Sequence, residues 1–318
     1  MLWALFLYLI FYIPYVSAAD TSDDNDLTLD LIQVIFRHGL RTPLEEEARF
    51  INITDPSIYG YDFGQLTKRG RKQEYTLGKF LRKNYHWFLS TYDQKELVAI
   101  STNVSRTKES LVLVLSGLFS LTPMPNQFTF CVSNTILAPY ANPKFTEIHT
   151  KILKNSKKFE TDLSKYSDFI RYMGNQTGYS LFSIVNSTVH FQSLLKIHKL
   201  LNIALPIWYT KEVFETFRNM SRTHDLTLAS FTRAQDVTGA FYMPPFGSAY
   251  VVESYKDSKQ KRYIRMLKWN GTTDGFVELE INNCSKYCPV DTYKILVKDV
   301  IPTDEELKIF NPDTCESF

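Results

Sequence analysis

At 318 residues, 44% hydrophobic and 22% charged, the chain is too apolar for a disordered protein and long enough for one large core or two modest ones. Its 36 Lys and Arg against 34 Asp and Glu leave a net charge of +2, so the totals carry no electrostatic footprint for nucleic acid and no polybasic membrane patch. Twelve Gly, thirteen Pro and the lack of a fixed repeat exclude collagen-like and solenoid architectures, so any anion must be held by a local cluster.

Residues 1–19 contain no charged side chain, and the apolar run Leu2 to Val16 ends in Ser17-Ala18-Ala19 before the acidic stretch Asp20 to Asp26. This reads as a cleavable secretory signal peptide, since the run falls short of the ~20 residues that span a bilayer. No later segment is long and apolar enough to span, so the expected mature chain has no integral membrane segment. The pattern LTLDLIQVIF, Leu27 to Phe36, predicts a buried strand that runs straight into Arg37-His38-Gly39-Leu40-Arg41-Thr42-Pro43. Gln65 to Leu89 has apolar residues at helical spacing with Thr67 placed to cap it, Leu97 to Ser101 reads as a short strand, and a second helix follows from Asn103.

From about 144 to 216 strands thin out, and two long amphipathic patterns predict a mainly helical insertion. Ser248 to Tyr255, Arg262 to Trp269 and Gly275 to Leu279 then alternate apolar and polar residues around turns such as Asn270-Gly271, as antiparallel strands do. The expected fold is α/β. A mixed central sheet flanked by helices is built from 20–143 and 217–318, with 144–216 inserted as an α-helical subdomain.

Asn-x-Ser/Thr sequons at Asn52, Asn103, Asn175, Asn186, Asn219, Asn270 and Asn283 agree with export, Asn52, Asn175, Asn186, Asn219 and Asn270 being the candidate glycosylation sites. Cys284 and Cys288 are spaced to close a short loop, leaving Cys131 and Cys315 as the long-range pair, although sequence alone leaves the other pairings open. No Cys-x-x-Cys or His cluster suggests a zinc site, and no metal or other cofactor is expected.

The heptapeptide Arg37 to Pro43 concentrates two guanidiniums and an imidazole at a strand end. Arginine is permanently charged and presents a planar fork of donors, so two of them around a histidine make a clamp for a tetrahedral oxyanion, with Gly39 allowing close approach. The competing arrangement is structural: His38 inside the core and the arginines paired with Glu45, Glu46 and Glu47.

The order RHGLRTP, with His224-Asp225 far downstream, resembles the histidine acid phosphatase family. DFGQLTKRG at Asp62 to Gly70, STNVSRT at Ser101 to Thr107, PPFGSAYVVE at Pro244 to Glu253 and CSKYCP at Cys284 to Pro289 extend the resemblance over most of the mature chain. The branch with lysosomal, prostatic and insect venom acid phosphatases looks closest. The resemblance implies that His38 is a nucleophile forming a phosphohistidine. It further implies that Arg37, Arg41, Arg106 and His224 bind the phosphate oxygens, and that Asp225 protonates the leaving alkoxide. Position 40, often Asp in this branch, is Leu here, and the signature leaves it open. The implied substrates are small phosphate monoesters, the enzyme secreted or lysosomal, and the assembly a homodimer.

An imidazole among arginines resists becoming cationic, so its pKa should be depressed, whereas Asp225 beside a phosphate dianion should hold its proton more firmly. The two needs overlap only in acid. The guanidiniums supply the positive charge that Mg²⁺ supplies in other phosphoryl transfers. In one respect the sequence departs from the family. Only fifteen residues separate Trp208 of the Leu205-Pro206-Ile207-Trp208 motif from His224, where the family places a helix and the central strand that presents His-Asp. What remains is too charged for a buried parallel strand. If Phe214 to Met220 is helical, the His-Asp pair starts from a helix end and is poorly aimed. The alternative function is therefore a catalytically weak or inactive secreted relative, acting by binding.

Overall fold

The computed structural model describes residues 6–12, 26–89, 92–93, 96–119, 129–132, 157–221, 237–240, 244–272, 275–298 and 315–317. Its strands are β1 (Phe6–Tyr12), β2 (Thr28–Arg37), β3 (Leu97–Ser101), β4 (Thr129–Val132), β5 (Val237–Thr238), β6 (Ala249–Lys256), β7 (Arg262–Trp269), β8 (Val277–Ile281), β9 (Cys288–Pro289) and β10 (Cys315–Ser317). The helices are α1 (Glu45–Ala48), α2 (Lys68–Tyr85), α3 (Ser105–Phe119), α4 (Lys157–Ser164), α5 (Ser167–Thr177), α6 (Leu181–Asn186), α7 (Thr188–Leu201), α8 (Lys211–Ser221) and α9 (Val290–Val297). No helix among the described residues is long and apolar enough to cross a membrane.

The chain divides into two compact units, one gathering Leu40–Thr67 and Pro139–Leu226, the other Ala4–Gly39, Lys68–Ala138 and Thr227–Phe318. The α/β expectation holds, with one adjustment of boundaries. Leu40–Thr67, read from sequence as part of the sheet core, clusters instead with the helical insertion. Its backbone is tied to itself, Thr67 N–H reaching Leu40 O at 2.9 Å and Thr42 N–H reaching Gln65 O at 2.9 Å.

In the sheet unit the strand order is β10-β4-β3-β1-β2-β6-β7-β8-β5, with β9 beside β7. Alternation along β2 buries Ile32, Val34 and Phe36 on one face, where they join Leu77 and Leu81 of α2 and Leu111, Val114 and Leu115 of α3. Tyr250, Met266, Leu279 and Ile281 form a second cluster. The α2–α3 contact is close because Gly78 faces Gly117. A Cβ at Gly78 would lie 2.0 Å from the Val114 carbonyl oxygen.

Two features bear on the missing strand. Lys211–Ser221 is helical, so the segment before His224-Asp225 provides no strand. Between β2 and β3 lies β1, whose backbone runs antiparallel to both, from Phe6 opposite Arg37 to Tyr12 opposite Leu31 and from Tyr8 opposite Ile100 to Phe11 opposite Leu97. The apolar segment read as a leader thus takes a central place in the sheet.

In the helical unit, Phe191 of α7 stacks on Phe50 at 4.1 Å and on Phe217 of α8 at 4.9 Å, at the centre of a core that includes Met173, Ile184, Leu194 and Trp208. Cys284 and Cys288 form a disulfide. Cys131 is also disulfide-bonded, and the β4–β10 register places Cys315 directly opposite it.

Candidate active site

β2 and β3 are each antiparallel to β1 and so run parallel to one another. Their C-terminal ends lie at the same end of the sheet, two strand spacings or roughly 10 Å apart. This is the end at which open α/β sheets bind ligands. β2 leads there into Arg37-His38-Gly39, and β3 into the turn that starts α3 with Ser105-Arg106.

Backbone bonds fix the first loop: Arg37 N–H donates to Ser248 O at 2.9 Å and Gly247 N–H donates to His38 O at 3.1 Å. Gly39 lies so near α2 that a Cβ would meet Gly70 O at 2.3 Å, so only glycine fits. Arg37 is held by a bond from Nη1 to Pro244 O at 2.6 Å, and its guanidinium lies 4.2 Å from the centre of the Phe246 ring. The same ring stands 5.7 Å from the His38 imidazole.

His38 is buried at 1% exposure, and its Nδ1 lies 2.9 Å from Gly39 O. A carbonyl only accepts, so Nδ1 carries the proton, and in the neutral ring Nε2 carries the lone pair. The backbone therefore selects the tautomer in which Nε2 carries the lone pair. Arg106 sits buried in the first turn of α3. The turn before it is tied by Thr107, whose hydroxyl lies 2.8 Å from the Thr102 hydroxyl and donates to Thr102 O at 3.1 Å.

Arg41 belongs to the helical unit, where Arg41 and Leu66 form a β-bridge. The segments RHGLRTP and DFGQLT occur together because they zip: besides the bonds at Leu40 and Gln65, the Thr42 hydroxyl donates to Asp62 O at 2.6 Å. Arg41 is buried and forms a two-pronged ion pair with Glu47, Nη1 to Oε2 at 2.7 Å and Nη2 to Oε1 at 2.9 Å. Glu47 also accepts Leu44 N–H at 2.8 Å, closing the start of α1, and faces His190 Nδ1 at 3.4 Å. Burial alone pushes the Glu47 carboxyl up, but the Arg41 guanidinium, its hydrogen bonds and then His190 hold it well below the usual carboxylate range. A cation so enclosed requires such a partner, because an unpaired buried charge is strongly destabilising.

Of the residues expected at the site, Arg37, His38 and Arg106 stand at the sheet end, and Arg41 takes the partner that the structural arrangement offered it. His224 and Asp225 lie outside the described residues. Sequence reasoning missed His190, which lies on a helix with no motif around it, and the role of Phe246, although PPFG signalled that loop. Asn52, Asn175, Asn219 and Asn270 are exposed; the Asn186 side chain lies outside the description.

A histidine whose Nδ1 faces a backbone carbonyl thus lies with the buried Arg37 and Arg106 at the end of a parallel strand pair. The model of the histidine phosphatase superfamily (branch 2) matches residues 28–168, so this part of the chain is similar to that family. The chain is 26% identical to human prostatic acid phosphatase, covering 87% of this chain and 86% of the relative. It is 24% identical to the honeybee (Apis mellifera) venom acid phosphatase Acph-1, over 88% and 87%, and 22% identical to human lysosomal acid phosphatase, over 87% and 79%. The prostatic alignment runs over 347 positions, more than the chain's own 318 residues, so it leaves dozens of positions facing a gap here. In fold it matches a Hafnia alvei phytase in complex with tartrate, at a TM-score of 0.60 and 16% identity over 87% of this chain and 98% of that one.

Proposed function

We propose that this protein is an acid phosphatase that hydrolyses small phosphate monoesters through a phosphohistidine on His38. The observation that carries the reading is the bond between His38 Nδ1–H and Gly39 O, which leaves the Nε2 lone pair as nucleophile. Nε2 attacks phosphorus and the ester P–O bond breaks. The departing alkoxide takes a proton from Asp225. Water then attacks phosphorus, the P–N bond breaks, and inorganic phosphate leaves. Arg37, Arg41, Arg106 and His224 stabilise the charge on the phosphoryl oxygens, where a loose transition state needs it most. Asp225 must be protonated at the start, so activity lies on the acid side of neutral.

The sequons and the disulfide support passage through the secretory pathway, to secretion or the lysosome. The test is turnover of p-nitrophenyl phosphate, expected to vanish in His38→Ala. Rapid quench into alkaline denaturant, in which a phosphoramidate survives, should trap label on the wild-type histidine. Absence of both signals in folded protein would leave the second reading, a relative that binds phosphate without turning esters over. The helix at Lys211–Ser221 and the gap against the relatives favour that second reading, because they remove the strand that would aim Asp225.

A further inference from the structure

The four terminal N–H bonds of Arg41 are committed within the helical unit. Nη1 donates to Thr42 O at 2.9 Å and to Glu47 Oε2 at 2.7 Å, and Nη2 donates to Glu47 Oε1 at 2.9 Å with the Ser193 hydroxyl at 3.5 Å. The remaining donor, Nε–H, is buried and has no acceptor among the described residues. Glu47 is itself held from two sides, by Leu44 N–H at 2.8 Å and by His190 at 3.4 Å. A carboxylate only accepts, so His190 Nδ1 carries the proton in that contact. Arg41, Glu47 and His190 are 3%, 1% and 5% exposed, so water offers the cluster no substitute partners.

We propose that Glu47 and His190 are positioning residues that grip the terminal edge of Arg41 and leave its Nε–H as the donor offered to phosphate. The proposal rests on the reading of Arg41 as a phosphate ligand. A guanidinium has two ways of meeting an oxyanion: through both terminal nitrogens, or through Nε and one terminal nitrogen. Glu47 occupies the first edge. Phosphate then meets an arginine with fixed orientation, whose rotamer freedom has been removed in advance.

The measurement is the affinity for inorganic phosphate by calorimetric titration of the full chain, which needs no turnover. Glu47→Gln turns one acceptor into an N–H donor facing the fork and should weaken phosphate binding about ten- to hundred-fold, as expected for loss of a charge-assisted bond. In an Arg41→Lys background the same change should have little further effect, since Glu47 acts through Arg41. His190→Leu should weaken binding several-fold, and His190→Gln, which keeps an N–H for Oε1, should restore it. With p-nitrophenyl phosphate these changes should appear in KM more than in kcat. A merely structural role would lower the unfolding temperature of these variants and leave the phosphate affinity of folded protein unchanged, and that result overturns the proposal. So does an undiminished effect of Glu47→Gln in the Arg41→Lys background. If Glu47→Gln does not fold, the His190 pair decides alone. Phosphate-binding wild type whose label is lost in His38→Ala, but whose Glu47 and His190 variants bind normally, refutes this inference and spares the proposed function; wild type that binds no phosphate refutes both.

Discussion

Each unit of the molecule buries a glutamate completely, and the two are treated in opposite ways. In the helical unit Glu47 has a two-pronged arginine, a backbone N–H and a histidine, and is held ionised. In the sheet unit Glu74 of α2 is 0% exposed and neither carboxylate oxygen has a hydrogen-bond partner among the described residues, and burial pushes its pKa well above the ordinary value. Burial thus favours the protonated form of the Glu74 carboxyl. The difference teaches that burial does not decide what a carboxyl does in a core. Its partners do. The helical unit carries a charge because it completes the ion pair, whereas the sheet unit gives the same group no partner among the described residues and so favours its protonated form.

The largest expected effect tests the sheet unit. β1 gives both β2 and β3 a neighbour, so a chain of residues 20–318 leaves two strand edges open in mid-sheet. Its loss of stability should be comparable to the ~5–15 kcal/mol that holds a domain together, and cooperative urea unfolding seen for the full chain should be absent from it. Equal unfolding midpoints would mean that β1 contributes nothing to the sheet.

The next effect tests the helical unit. Glu47→Ala leaves Arg41 as an uncompensated buried cation and should cost about 3–5 kcal/mol at neutral pH, measured by chemical denaturation. The folded-state pKa of Glu47 lies below its unfolded value, so its contribution is present above the unfolded pKa and fades as pH falls toward the folded one. The gap between wild type and Glu47→Ala should therefore narrow in acid.

Glu74→Met reverses that pattern. Here the folded pKa lies above the unfolded one, so wild type loses stability as pH rises from the unfolded value toward the folded one. The variant should be more stable than wild type by roughly 1–3 kcal/mol near pH 4, the cost of an unsatisfied buried polar group, and by more at neutral pH. A destabilised Glu74→Met at pH 7 would mean that the carboxyl has a role that its surroundings do not reveal. The smallest effect belongs to the half-exposed pair of Arg71 and Glu109 between α2 and α3, at 2.5 Å. Arg71→Ala should change stability by about 0.2–1 kcal/mol, less at high salt.

Much of the fold was legible in the sequence. The alternation of LTLDLIQVIF, the helical spacing after Thr67 and the three alternating runs after Ser248 each lie within one element; the strands form within two residues of the expected ends, and the helix, Lys68–Tyr85, lies three and four residues inside the Gln65 to Leu89 pattern. The clustering of Arg37, His38 and Gly39 at a strand end was legible for the same reason. The place of Leu40–Thr67 was not, because its few apolar residues carry no period, and its partition follows from the zipper with DFGQLT.

The sequence by itself determined which residue types are available for chemistry and most of the longer strands and helices, β1 excepted, since both depend on residue type and on periods of a few positions. Only the tertiary structure decided the tautomer of His38, the bond from Arg37 to a carbonyl 207 residues away, and the meeting of Glu47 with a histidine 143 residues further on. It alone decided that one buried glutamate has its pKa pulled down and the other has its pKa pushed up. These outcomes turn on which groups are shut away from water together, and that is a property of the packed chain, which a reading of its order does not contain.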